Sequence, residues 1–517
     1  MMKPDSTTRF KQDIPYEETG GAIRDYCTSR GFPLGGIGTG GFNLFTDGGF
    51  GFFRTNHNWF KTIGKTRYPR GTFLALRCSR GESAERREGY RGTGHTGTRT
   101  NGTAVTRILR GSYRGGREFS NIAPIAHTSF RGRLPFCELS FHDPWLPVTA
   151  VLEGFTSLIP HKARDSSLPA AFLRCTVENQ SGQPLEVSLL ASFENILGIG
   201  GSGGRALAFP LDGPVRYNST RGNYAERVST AEYTGLRFAT RQNYGAGNPR
   251  RRVTGEYLLF TDGASLAGGS PGFCTRWNSG SRRPRLLREF ARSGRLPQDA
   301  GMRGDSAAFA LPFTLRPGES RSINLYLLWW TPYHVIEKRQ RLRKLTGLHR
   351  GRDYGHYYRN FFTSADELAA YCVRERERLK RETWELPAIL DRSSLPEWLK
   401  RYVLNSTDAV LVNTVLTQDG TLYTMEGVPW RWLFGALTGT VDQRLAAHPY
   451  TAAFFPELDR SELLSFLRLS VDGRVPHGNG HADIALGTHD IPYGNPIKSF
   501  NRSEDWTDLP QSLIMQL

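Results

Sequence analysis

The sequence predicts a large antiparallel β-sandwich followed by a helical region. Three observations carry that expectation. The first two-thirds of the 517 residues are short apolar or alternating runs separated by turn residues. The 57 Gly, 29 Pro and 12 % aromatic residues favour strands and turns over a helical bundle. From about residue 364 the pattern becomes charged, with apolar residues at helical spacing. At roughly 150 residues per domain, the length allows two to four domains.

Taken in order, Gly40 to Phe45, the turn Asp47-Gly48-Gly49 and the run from Phe50 read as a hairpin. Just before it, Gly36-Ile37-Gly38-Thr39-Gly40-Gly41 matches GxGxxG. A dinucleotide site needs a helix after those glycines, and here a hairpin follows, so they read as a turn where backbone packs closely. A second hairpin is expected from Ala170–Asn179 and Leu185–Phe193 around Gln180-Ser181-Gly182-Gln183-Pro184, and a further strand over Ser322–Trp330. Repeated short strands of this kind suit a sandwich. The Gly/Arg-rich stretches near 79–119 and 243–304 read as long loops. Ser364 to Leu386 reads as a helix with Ser364 as N-cap, Glu367 completing a capping box, and Leu368, Tyr371, Cys372 and Leu379 on one face. A second helix is expected over Leu395–Leu416 and a third over Glu457–Leu469, where Pro456 suits a helix start. No solenoid repeat is present.

The formal charge is +18, and only ten of the 67 basic residues are Lys. The arginines are spread through glycine-rich loops, as at Arg80–Arg99 and Arg276–Arg295, which reads as a solvated basic surface and not a nucleic-acid face. Cys27, Cys78, Cys137, Cys175, Cys274 and Cys372 form no CxxC, so neither a zinc site nor a disulfide framework is expected. There is no apolar run of about 18 residues for a membrane span, and MMKPDSTTRFKQD has no signal-peptide core. Reduced thiols in a cytoplasm are the simplest expectation.

Chemistry concentrates near the end. In Glu426-Gly427-Val428-Pro429-Trp430-Arg431-Trp432 a carboxylate stands beside tryptophans, a pairing that suits a pyranose: an aromatic face covers the sugar while a carboxylate meets the anomeric carbon. From the residues alone, an exposed loop glutamate is the default reading. Asp442 suits either a ligand-binding carboxylate or, more simply, a helix N-cap. His477 lies in Val475-Pro476-His477-Gly478, a turn-rich loop. With His481, His489, Asp483 and Asp490 it suggests a metal, but no helical scaffold holds the histidines on one face. P-loop and HExxH motifs are absent.

The run Gly31-Phe32-Pro33-Leu34-Gly35-Gly36-Ile37-Gly38-Thr39-Gly40 resembles the N-terminal signature of glycoside hydrolase family 116, the bile-acid β-glucosidases or non-lysosomal glucosylceramidases. The resemblance continues in family order. It runs through Asp143-Pro144-Trp145-Leu146-Pro147, Asp165-Ser166-Ser167-Leu168-Pro169, Gly355-His356-Tyr357-Tyr358 and Leu395-Pro396-Glu397-Trp398. It ends with Met425-Glu426-Gly427, Phe455-Pro456-Glu457-Leu458, Val475-Pro476-His477 and Asp505-Trp506-Thr507-Asp508-Leu509. It implies a β-sandwich over residues 1–335, a helical linker over 336–391 and the start of an (α/α)6 barrel over 392–517. It also implies a retaining β-glycosidase acting on β-linked glucosides without a cofactor. Glu426 matches the family nucleophile, while Asp442 and His477 match sugar-binding positions; Trp430 is the aromatic neighbour expected to help bind the sugar. Three features depart from the pattern. Glu426 and Asp442 are 16 positions apart, Gly478 stands where an Asp is expected, and the family's acid/base Asp is expected beyond Leu517. The barrel is therefore expected to be incomplete and this chain inactive on ordinary glucosides. The alternative is a non-catalytic carbohydrate-binding protein.

Overall fold

A computed structural model describes residues 31–55, 57, 68–80, 104–111, 119–200, 217–266, 269–298, 304–337, 351–425, 437–445, 448–470, 474–481, 485–486 and 509–517. Two large sheets face each other. The eight-stranded one runs, in spatial order, Asn223–Ser229, Tyr233–Thr240, Glu256–Asp262, Ser320–Trp330, Ala170–Asn179, Val148–Phe155, Phe136–His142 and His127–Arg133. The six-stranded one runs Gly272–Trp277, Ser306–Leu315, Leu185–Glu194, Phe73–Arg80, Ala104–Ile108 and Ala123–Pro124. All their pairings are antiparallel except the short one between Ala104–Ile108 and Ala123–Pro124. Leu74, Leu76, Leu173, Cys175, Leu189, Phe309 and Leu325 fill the space between the sheets.

The expected hairpin at Phe42–Leu44 and Phe50–Gly51 is present. The one joining Ala170–Asn179 to Leu185–Glu194 is not: these strands belong to different sheets. The turn carries the chain across the sandwich, held by Asn179 Nδ2, which donates to the carbonyls of Gln183 at 2.8 Å and Leu315 at 3.1 Å. The stretch 243–304 is also more ordered than expected, holding two strands and the helix Arg285–Ser293. Leu286, Leu287 and Phe290 of that helix cover the outer face of the six-stranded sheet at Phe73, Leu190 and Ala308. Strands buried on both faces read as apolar runs, which hides their sheet membership.

The helix Ala365–Arg392 lies on the outer face of the eight-stranded sheet. Leu368, Cys372 and Leu379 pack on Phe155, Phe172, Leu258 and Leu328. Ser364 Oγ accepts from Glu367 N at 3.2 Å, as expected of an N-cap. The Glu367 carboxylate reaches one residue further back than a capping box would, to Thr363 N at 2.8 Å. The helix runs past Leu386 and through Pro387, and its last turn is anchored by a two-pronged Arg133–Asp391 pair at 2.8 and 3.0 Å. Arg376, buried, donates to the Leu173 carbonyl at 3.1 Å and stacks on Phe155, Phe172 and Tyr326. The expected second helix breaks into Glu397–Asn405 and Thr407–Val412, and its last residues are a strand, Thr414–Leu416, paired with Leu422–Thr424. The third, Pro456–Leu469, begins with Pro456 in its first turn. Among the described residues, no helix is long and apolar enough to cross a membrane. The five described cysteines are buried, and none of them forms a disulfide. Burial pushes Cys78 and Cys175 up to about 12, so these thiols stay protonated.

Where the sandwich meets the later segments, three buried imidazoles stack. His57 lies 4.6 Å from His334 and 4.8 Å from His356, centroid to centroid, and the Nε2 atoms of His57 and His356 are 3.2 Å apart. Burial, then the charge of His334, lowers His356 to about 3, against an opposing hydrogen bond to the Gly38 backbone; Arg359 adds to the lowering. His57 is also held well below its ordinary value, by burial, then by His334, His356 and Arg252. An unfolded imidazole titrates near 6.5, so below that pH the unfolded chain binds more protons and stability falls. The loss is about 1.4 kcal/mol per pH unit for His356 until about pH 3. Glu194 opposes this, because burial raises its carboxyl to about 7 and acidification favours the folded form there. Comparing His356→Gln with the unaltered chain cancels that term. Urea unfolding should show the variant less stable at pH 7.5 and the gap narrowing by about 2–3 kcal/mol at pH 4.5. A pH-independent gap would mean that His356 does not titrate on unfolding.

Candidate active site

The segment that leads to Glu426 is braced by the glycine-rich turn. Gly38 N donates to Thr414 Oγ1 at 2.9 Å, and Leu416 N donates to the Gly38 carbonyl at 3.4 Å. Gly38 has φ +70°, and a Cβ there would lie 2.3 Å from the Leu416 backbone nitrogen. The glycines are thus a close-packing turn, as the sequence indicated. Gly38→Ala should cost about 2–4 kcal/mol, combining left-handed strain with overpacking. Chemical denaturation measures it; a loss below about 1 kcal/mol would show that the turn yields freely.

From Thr414–Leu416 the chain turns at Gly420 and returns through Leu422–Thr424. Met425 is buried among Ile336, Val415, Tyr423 and Leu486. Its N–H donates to the Asn413 carbonyl at 2.7 Å, and it bridges antiparallel to Thr438. Glu426 and Trp430 lie outside the described residues. The strand Leu437–Thr438 pairs on its other side with Gly480–His481. Val441 N donates to the His477 carbonyl at 3.0 Å, and Asn479 N donates to the Thr438 carbonyl at 2.9 Å. His477 is buried.

Asp442 is the second residue of the helix Val441–Arg444. It is not the N-cap the residues favoured: Thr440 precedes the helix and its carbonyl accepts from Arg444 N at 2.8 Å. The backbone beside Glu426, that beside Asp442, and His477 therefore share one small region. Asp483, His489 and Asp490 of the metal alternative fall outside the described residues, and of His481 only the backbone is described. Among the described residues, no group of three His, Cys, Asp or Glu side chains can hold a metal ion.

Beneath this region lies a charged cluster that the sequence reading did not single out. Arg444 is buried and donates to Glu462 Oε2 at 2.7 Å, to Asp459 Oδ1 at 2.5 Å and to Gln516 Oε1. Glu462 Oε1 accepts from Thr424 N at 2.6 Å, and Gln516 Nε2 donates to the Val441 carbonyl at 2.9 Å. His448 Nδ1 stands 3.0 Å from Asp459 Oδ2. The cluster thus ties the helix Pro456–Leu469 to residues just before Glu426 and just before Asp442. Its signal was present in the sequence: Asp459 and Glu462 interrupt the face carried by Leu458, Leu463 and Phe466.

A family model described as beta-glucosidase 2, glycosyl-hydrolase family 116 N-term, matches residues 31–379. No curated protein matches the chain. Among solved structures, a protein assigned as a kojibiose phosphorylase, from the human microbiome, is 9 % identical over 89 % of this chain and 51 % of its own, with a TM-score of 0.38. A family GH92 alpha-mannosidase from Bacteroides thetaiotaomicron is 10 % identical over 88 % of this chain and 50 % of its own, with a TM-score of 0.29. A GH36 alpha-galactosidase from Geobacillus stearothermophilus is 10 % identical over 40 % of this chain and 25 % of its own, with a TM-score of 0.18. The chain spans about half the length of the first two. The family match, which takes in both large sheets and most of the helix Ala365–Arg392, covers about two thirds of the sequence. The chain therefore belongs to glycosyl-hydrolase family 116 and carries its N-terminal domain.

Proposed function

We propose that this chain belongs to a retaining β-glycosidase acting on β-glucosides, with Glu426 as nucleophile. The observation that carries the reading is the match to the family 116 N-terminal domain, a family described as beta-glucosidase 2. The backbone neighbourhood of Met425, Val441 and His477 supports it. In this reading residues 1–335 are the sandwich, 336–391 the linker and 392–517 the start of an (α/α)6 barrel. Asp442, His477 and Trp430 bind the sugar, and no cofactor takes part. A cytoplasmic setting suits the described cysteines, which are buried and form no disulfide.

The chemistry is a double displacement. A Glu426 carboxylate oxygen attacks the anomeric carbon, and the bond from that carbon to the leaving oxygen breaks. The leaving oxygen takes a proton from an acid, or departs as a stable anion when it is dinitrophenolate. Water, giving up a proton to the conjugate base of that acid or to solvent, then attacks the anomeric carbon, and the Glu426 carboxylate is released. The reading is tested with 2,4-dinitrophenyl 2-deoxy-2-fluoro-β-D-glucopyranoside, whose leaving group needs no acid. Peptide mapping should find the fluoroglucosyl group on Glu426. A label on another residue, or none, would count against the assignment.

A further inference from the structure

Two side chains beside the proposed sugar site are buried with nothing to bond. Thr438 and Asn479 are both 0 % exposed. Thr438 Oγ1, Asn479 Oδ1 and Asn479 Nδ2 have no hydrogen-bond partner among the described residues. Buried polar atoms left unpaired are costly, and apolar side chains of similar shape would be cheaper at both positions. The two residues are joined by the backbone bond from Asn479 N to the Thr438 carbonyl, 2.9 Å long. The Asn479 amide also lies against Gly439, which has φ +61°: a Cβ there would lie 2.5 Å from Oδ1 and 2.8 Å from Nδ2. Thr438 bridges to Met425, the residue before Glu426. Asn479 follows His477, whose carbonyl holds the N–H of Val441, the residue before Asp442.

We propose that Thr438 and Asn479 bind vicinal hydroxyls of the sugar. The inference rests on the reading of this region as a sugar site and adds two residues that the family pattern did not supply. An amide offers an acceptor and a donor side by side. A vicinal diol matches that pair, one hydroxyl donating to Oδ1 and its neighbour accepting from Nδ2. The threonine hydroxyl serves as either donor or acceptor. A phosphate or carboxylate would find Oδ1 a repulsive neighbour. A hard cation would want carboxylates around it, and no described group of three such ligands is present.

The test is calorimetric titration of the 517-residue chain with 1-deoxynojirimycin, a glucose-configured ligand whose binding needs no nucleophilic attack. Thr438→Val should weaken binding about 10-fold, Thr438→Ser by no more than about threefold, and Asn479→Leu about 100-fold. Both apolar variants should melt at or above the temperature of the unaltered chain, because they remove unpaired polar atoms. Unchanged affinity in Thr438→Val and Asn479→Leu would overturn the proposal, leaving at most an enclosed water. A fall of many degrees in both melting points would overturn it too, by showing a structural role. So would a failure of the unaltered chain to bind the probe. Weakened binding in these variants, together with turnover that survives Glu426→Gln, would uphold this inference and reject the nucleophile.

Discussion

Replacing Glu426 with glutamine should stop fluoroglucosyl labelling and slow dinitrophenolate release at least about 10⁴-fold. Loss of a covalent nucleophile is among the costliest single changes an active site can suffer, reaching on the order of 10⁶-fold. The amide keeps the size of the side chain but has no anionic oxygen to attack with. Folding should be little affected, because the preceding residue is held by its own backbone, with Met425 N donating to the Asn413 carbonyl at 2.7 Å. An alanine variant sharpens the test. With room where the carboxylate stood, added azide can attack the anomeric carbon from the same face and expel dinitrophenolate. The product should be the α-glucosyl azide, since one displacement inverts a β-substrate. Recovery of the β-azide, or full activity in Glu426→Gln, would remove Glu426 from the mechanism. Asp442→Asn and His477→Ala should lose less, about 10–100-fold each, as expected for hydrogen bonds to sugar that strengthen in the transition state.

How far the sequence could be read differs between elements for physical reasons. The hairpin at Phe42–Leu44 and Phe50–Gly51 was legible because a short Asp-Gly-Gly turn fixes its two strands as neighbours. The turn at 180–184 was equally plain, yet a turn signal states only that the chain reverses. Whether the next strand pairs or crosses to the facing sheet depends on partners far away, here Ser306–Leu315 and Phe73–Arg80 for the strand Leu185–Glu194. The helix Ala365–Arg392 was legible from its period and its Ser364 cap, but its extension through Pro387 ends in a pair with Arg133, far away in a strand. The strand Thr414–Leu416 was read as the end of a helix, since a short apolar run carries no period of its own. What makes it a strand is its return partner Leu422–Thr424 and the brace from Gly38. Of the candidate site, His477 and the helix bearing Asp442 meet through the backbone, while Glu426 and Trp430 fall outside the described residues. Thr438 and Asn479 are ordinary residues in a sequence; only their burial without partners sets them apart.

Arg444→Met should be the most damaging change to stability in this part of the chain, costing about 3–5 kcal/mol. Among the described residues, the arginine is the only cation in contact with the Glu462 carboxylate, and both groups are almost completely buried, with side chains 1 % and 0 % exposed. Removing it leaves that carboxylate desolvated and uncompensated, and leaves Asp459 beside it facing His448 Nδ1 at 3.0 Å. The donors left to Glu462, Thr424 N and Thr424 Oγ1, are neutral and cannot replace a charge, as is Thr451 Oγ1, which donates to Asp459 at 2.6 Å. Urea unfolding at neutral pH measures the loss. A triple variant, Arg444→Met with Asp459→Asn and Glu462→Gln, separates charge from packing, because it removes the orphaned carboxylates with the cation. It should recover more than half of the loss, since replacing a buried ion cluster outright costs less than breaking it. The same variants bear on the site. Glu462 holds the backbone just before Glu426, and Gln516, an Arg444 partner, holds the carbonyl just before Asp442. If the cluster positions these segments, the triple variant should fold yet label at Glu426 more slowly than the unaltered chain, by about 10-fold or more, as misplacement of a nucleophile predicts. Labelling at the native rate in a stable triple variant would confine the cluster to stability.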